Sequence, residues 1–102
     1  MALVVDRADS RTGEHAILAI GRLSKLRMTA EAEFAILVSD AYQGHGFGGE
    51  LLRRLVQIGR DEKLKRITAT ILASNAGMQR VSRKVGFKLK RVGTEVNAEL
   101  DL

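Results

Sequence analysis

The sequence predicts a single α/β (α+β) domain built on a mixed central sheet, with an antiparallel meander first and the element order β-β-β-α-β-α-β. Two observations lead there. Apolar, β-branched runs bounded by turn residues recur at 2–5, 15–23, 31–38 and 66–73. Two segments in the second half, one opening at Glu50 and one after Asn75, instead carry apolar residues at helical spacing. Three strands without helices between them form a meander. The strands that flank a helix are joined by a crossover, which is right-handed in nearly all known sheets.

Along the chain, "ALVV" (2–5) is a short strand and "DRADSRTGE" (6–14) a polar turn. "HAILAIGRL" (15–23) returns as a second strand, and "SKLRMTA" (24–30) is the next turn region. In "EAEFAILV" (31–38) alternation places Glu31, Glu33, Ala35 and Leu37 on one face and Phe34, Ile36 and Val38 on the other. A loop, "SDAYQ" (39–43), leads to the glycines.

From Glu50, Leu51, Leu52, Leu55, Val56 and Ile58 form one apolar stripe, with Arg53, Arg54, Gln57, Arg60 and Asp61 on the opposite face. "RITATILA" (66–73) suits a central strand. Asn75 is an N-cap for a second helix, whose Met78, Val81 and Val85 share a face and whose stop is Gly86. Phe87 and Leu89, then Val92, Val96, Ala98 and Leu100, give one or two further strand segments.

At 102 residues the chain holds one hydrophobic core and not two. Four aromatic residues, Phe34, Tyr42, Phe47 and Phe87, leave the core aliphatic and disfavour base stacking on single-stranded nucleic acid. The formal charge of +5 suits an anionic partner without choosing one. With no cysteine there is no disulfide, thiolate metal site or cysteine nucleophile. His15 and His45 are too few and too far apart for a metal cluster, so no metal is expected. Neither a leader nor a membrane span is recognisable, which makes the cytoplasm the default location.

The densest signal is "YQGHGFGGELLRRLV" (42–56), with Gly44, Gly46, Gly48 and Gly49 directly before a helix. Gly44, Gly46 and Gly49 match G-x-G-x-x-G, but five residues separate them from Val38, and no acid ends the next strand to hold a ribose. A phosphate-binding Lys-Ser/Thr pair is missing too. What survives is physical: small residues at a helix start expose backbone N–H groups beside the positive end of the helix dipole, which suits an anion. The alternative is a glycine turn that only lets the helix pack close to the sheet.

Gln43-Gly44-His45-Gly46-Phe47-Gly48 also fits Q/R-x-x-G-x-G/A, placed after a strand and opening a long helix. One strand later, Asn75, Met78, Lys84, Gly86 and Phe87 fit N-x-x-[AM]-x-x-x-x-x-K-x-GF. These two motifs resemble the signatures of the GNAT superfamily of N-acetyltransferases, and the run from Ala32 to Leu55 looks most like the GNAT modules of bacterial protein lysine acetyltransferases.

The resemblance implies acetyl-CoA as co-substrate. Its pyrophosphate would lie on the amides of Gln43, Gly44, His45, Gly46, Phe47 and Gly48, with Gly49 in the same cradle. Its pantetheine arm would pair with the backbone of Ile36, Leu37 and Val38, and Asn75 would approach the thioester end. It further implies that the usual N-terminal strand and two helices of the family are lacking from residues 1–102. The chain is then a GNAT-like acyl-CoA-binding domain of a longer protein, or a minimal version whose acceptor site is open or completed by an attached or partner domain.

Acyl transfer needs a neutral amine, whereas a lysine of ordinary pKa, about 10.4, is protonated at neutral pH, so a base is required. Glu33 is the first candidate and Glu31, on the same face, the second; either could instead be a surface carboxylate or pair with one of the many arginines. Relatives often carry a tyrosine acid where this chain has Ser82, and a serine hydroxyl is a poor acid. Two function classes follow from the resemblance: an N-acetyltransferase acting on a primary amine such as a protein lysine, or a non-catalytic acyl-CoA-binding regulatory module. A small basic nucleic-acid-binding domain fits least.

Overall fold

A computed structural model describes residues 2–8, 15–26, 28–38, 44 and 46–102 of the chain. Strands β1 (Ala2–Ala8), β2 (His15–Lys25) and β3 (Glu31–Val38) come first. Helix α1 (Phe47–Asp61), strand β4 (Arg66–Leu72) and helix α2 (Ala76–Val85) follow, and β5 (Lys88–Val92) and β6 (Glu95–Asp101) end the chain. The six strands form one sheet in the order β1-β2-β3-β4-β6-β5. The meander β1-β2-β3 is antiparallel, β3 and β4 are parallel across α1, and β6 enters antiparallel between β4 and β5.

Of the one or two final strand segments expected, the structure has two, because Gly93, at φ 63°, makes the turn that folds β6 back on β5. β2 runs past Leu23 to Lys25, and β4 ends at Leu72 rather than Ala73. β1 runs past Val5 to Ala8: after an irregularity between Val5 and Asp6 its ladder with β2 continues, so pairing outweighs the low strand propensity of Asp6. Helix α1 begins at Phe47 rather than Glu50, so three residues that read as loop form its first turn.

Both helices cover one face of the sheet, α1 over β2 and β3 and α2 beside it towards β5. The even residues of β3 and the odd residues of β4 point to this side, and Ala32, Phe34, Ile67, Ala69 and Ile71 are buried there with Leu52, Leu55 and Val56 of α1. Full burial of Leu52, Leu55 and Ile67 stabilises the fold by about 1.5–3 kcal/mol each. Phe34 meets Phe87 edge to face, with ring centroids 5.2 Å apart, and so ties β3 to the chain beyond α2.

No described helix covers the other face. It carries Glu31, Glu33, Ala35 and Leu37 of β3, as alternation predicts, beside Arg66, Thr68, Thr70 and Leu72 of β4 and Glu95, Asn97, Glu99 and Asp101 of β6. No helix among the described residues is long and apolar enough to cross a membrane.

Candidate functional site

The parallel ladder between β3 and β4 consists of Glu31 with Arg66, Ala32 with Ile67 and Glu33 with Thr68, and then stops. Each strand stays paired on its outer side. β3 remains joined to β2 as far as Val38 opposite Ala19, and β4 to β6 as far as Leu72 opposite Glu95. The sheet therefore splits between residues 34–38 and 69–72. Because the two strands are parallel, the split opens at their carboxyl ends, where open α/β sheets commonly take ligands.

Helix α1 starts at the mouth of this cleft. Its N-cap, Gly46, has φ 84° and no side-chain hydrogen bond, and Gly44 has the same φ. These left-handed values are open to glycine at little cost and strained for other residues. A side chain at the cap would also screen the helix end. Glu50 N–H already closes the first turn onto the Gly46 carbonyl, whereas the amides of Gly48 and Gly49 precede the intrahelical ladder and face the end of the helix. A Cβ built on Gly48 would lie 3.6 Å from Met78 Cε and 3.9 Å from Val38 Cγ2, so the end of β3, the start of α1 and the first turn of α2 converge here.

Asn75 is exposed at the end of β4 and caps α2: the Met78 amide donates to its Oδ1 at 3.0 Å. That bond uses the side-chain oxygen and leaves the Nδ2 donors to other partners. Gln79 also stiffens the corner, its Nε2 donating to the Ala73 carbonyl at 3.0 Å.

Of the two candidate carboxylates, Glu33 stands at the vertex of the cleft, on the open face and exposed. Glu31 is committed elsewhere. Arg66 Nη1 donates to its Oε1 at 3.2 Å, while Arg66 Nε donates to Asp101 Oδ1 at 2.8 Å and lies 3.6 Å from Glu99 Oε1. The hydrogen bond to Asp101, then the charges of Glu99 and Asp101, hold the Arg66 guanidinium further above its already high range, against some desolvation. A raised pKa means that this contribution is complete below the unfolded value and fades only in strong alkali. Any pH sensitivity of the cluster near neutrality must come from elsewhere.

Ser82 is fully buried on the inner side of α2, and its Oγ finds no hydrogen-bond partner among the described residues. A hydroxyl without exposed surface cannot protonate a leaving group in an open cleft. Beside Glu33 the open face dips into a shallow depression lined by Thr68, Thr70, Lys88, Lys90, Asn97 and Glu99. Of the sequence-predicted site, Glu33, Ile36, Leu37 and Val38 line the split, Gly46, Phe47, Gly48 and Gly49 begin α1 at its mouth, Asn75 follows β4, and Glu31 sits at the closed end; Gly44, at φ 84°, is exposed just ahead of the helix. Gln43 and His45 lie outside the described residues. Sequence reasoning missed Arg66, whose partners on β3 and β6 are 35 positions away in either direction.

This arrangement has counterparts. Residues 1–88 match the family model described as an acetyltransferase (GNAT) domain. The chain belongs to the GNAT acetyltransferase family. Among solved GNAT structures it is similar to the GNAT domain of S. lividans PAT, at 33% identity and TM-score 0.75, over 89% of this chain and 56% of that one. The ribosomal-protein-alanine N-acetyltransferase of Brucella melitensis shares the fold at 21% identity and TM-score 0.79, over 99% and 68% of the two chains. So does a phosphinothricin acetyltransferase of Sinorhizobium meliloti, whose structure is a complex with acetyl-CoA, at 22% identity and TM-score 0.76, over 93% and 58%. The chain thus spans 56% to 68% of the length of these GNAT proteins.

Proposed function

We propose that the chain binds acetyl-CoA in the cleft between β3 and β4 and transfers the acetyl group to a primary amine, with a protein lysine as the acceptor. The observation that carries this reading is the early end of the β3–β4 ladder, with the glycine-capped start of α1 at the mouth it leaves. An extended amide-containing arm can pair with strand backbone along such a split, and a pyrophosphate suits the helix end. The residues fit the co-substrate on those two counts, independently of family membership.

In this reading the amides of residues 43–49 hold the pyrophosphate, the backbone of Ile36, Leu37 and Val38 holds the pantetheine arm, and Asn75 Nδ2 donates near the thioester. Acetyl-CoA supplies an acyl group activated by a thiolate leaving group. The amine nitrogen forms the new bond to the acetyl carbon while the carbon–sulfur bond breaks. Glu33 takes the proton that the nitrogen sheds, directly or through one water, and water returns a proton to the thiolate. Backbone N–H groups near Leu37 polarise the carbonyl. Ser82 has no part in this scheme, and a thiolate of pKa about 8.5, by analogy with cysteine, needs little help to leave.

The lysine acceptor rests on the resemblance of the run from Ala32 to Leu55 to the GNAT modules of bacterial protein lysine acetyltransferases. The deciding experiment has two stages. An NMR titration with acetyl-CoA should perturb the amides of Gly44, Gly46, Gly48 and Gly49 first, and silence there removes the binding site. Mass spectrometry of peptide and small-amine acceptors then separates turnover from a module that only binds acyl-CoA.

A further inference from the structure

The carboxylates of the open face are unequal, and one cation makes them so. In register, Glu31, Arg66 and Asp101 lie opposite one another across β3, β4 and β6. Arg66 bridges all three strands, gripping Glu31 on one side and Asp101 and Glu99 on the other. This row closes the cleft: one position further along is the Ala32–Ile67 pair, and the next, Glu33–Thr68, is where pairing ends. Isolated surface ion pairs contribute little, but a forked guanidinium shared by three carboxylates across three strands is a network. Glu33, on the same face as Glu31, makes no hydrogen bond or side-chain ion pair with another described side chain.

We propose that Arg66 is a positioning residue of the acyl-transfer site: it pins the closed end of the cleft and commits Glu31, leaving Glu33 as the one carboxylate of β3 open to the incoming amine. The proposal rests on Glu33 being the base. Side chains at 31 and 33 sit about 7 Å apart along the strand. Without Arg66, the freed charge of Glu31 would hold protons on Glu33 to higher pH.

The other groups facing Glu33 are few. β2 offers Ser24 opposite and Arg22 next along, β4 offers Thr68 and Thr70, and Glu99 of β6 and Lys88 of β5 lie beyond them in the same row. Lys25 pairs with Glu62 on the helix side, and no described helix covers the face. None of these groups replaces Arg66 between Glu31 and Asp101.

The test is the pH dependence of kcat/KM with acetyl-CoA, together with an NMR titration of the Glu33 side-chain carboxyl, which requires no turnover. Arg66→Gln should move the acidic limb and the Glu33 midpoint to higher pH. Adding Glu31→Gln should bring both back, and Glu31→Gln alone, which keeps the grip on β6, should move them down. Arg66→Lys, with the charge but not the fork, should hold the limb while lowering the rate. A purely structural Arg66 would slow Arg66→Gln and Arg66→Gln/Glu31→Gln alike and leave the limb fixed; that result, or an unmoved Glu33 midpoint in Glu31→Gln, overturns the proposal. Full activity in Glu33→Gln would instead remove the base assignment, and the catalytic role of Arg66 with it.

Discussion

Glu33 and Thr68 are the last residue pair that joins β3 to β4, so the carboxylate of Glu33 stands at the point where the central ladder of the sheet opens. A group there is held by backbone on both sides yet borders the cleft. If it removes the amine proton, Glu33→Gln should lower kcat about 10²- to 10⁴-fold, the usual range for a positioned base. The affinity for acetyl-CoA should stay nearly unchanged, because the proposed cradle lies at the other end of the cleft. Steady-state kinetics with calorimetric acetyl-CoA binding check both halves, and a parallel fall in binding would mean that the substitution damaged the fold.

The start of α1 makes a prediction of its own. Gly46 sits at φ 84°, and a Cβ added to it would meet nothing within 4 Å, so Gly46→Ala strains the backbone without a clash. The left-handed conformation costs a non-glycine residue about 1–2 kcal/mol. Thermal melts should show a loss of that order. Acetyl-CoA binding should weaken as well, since the cap must leave the left-handed region to relieve the strain and carries the helix amides with it. Unchanged affinity in a destabilised variant would separate the turn from the ligand site.

Asn75 has two jobs that chemistry can part. Its Oδ1 caps α2 through the Met78 amide, and its Nδ2 is free to serve the thioester end of acetyl-CoA, as proposed. Asn75→Ala should cost about 0.5–2 kcal/mol of stability through the lost cap. Asn75→Asp keeps a capping oxygen and should melt near the wild type, but it replaces a donor with a negative charge and should weaken acetyl-CoA binding. Equal binding by the Asp variant and the wild type would confine Asn75 to the cap.

What is legible in the sequence follows from how local each signal is. The bounds of β3, Asn75 as cap and Gly86 as stop of α2 are set by residues within a turn or two of each other, and all three agree with the structure. The start of α1 is hidden because Phe47, Gly48 and Gly49 are poor helix formers, and only the fold commits them to a first turn. Arg66 cannot be found from its neighbours. Nothing in "RITATILA" announces that its first residue meets Glu31 and Asp101, because cross-strand register depends on the whole sheet. The same holds for Ser82: its place on α2 is readable, its complete burial is not.

Gly59 shows how closely α1 approaches the sheet. A Cβ on it would fall 2.8 Å from Ile67 Cδ1 and 3.1 Å from Leu102 Cδ1, inside the contact distance of carbon atoms. Gly59→Ala gains helix propensity, about 1 kcal/mol, but must push aside Ile67, which is fully buried. Overpacking of this kind costs about 1–3 kcal/mol, so the net effect should be destabilising. Ile67→Val removes the obstructing methyl at a cost of its own, about 0.5–1.5 kcal/mol. In the double variant the new methyl occupies the vacated space, and the combined loss should be smaller than the sum of the two single losses. Denaturant melts of the four proteins close this cycle. Additive losses would mean that α1 shifts on the sheet instead, and the acetyl-CoA affinity of the Gly59→Ala variant would then fall as well, because the same helix carries the proposed cradle at its other end.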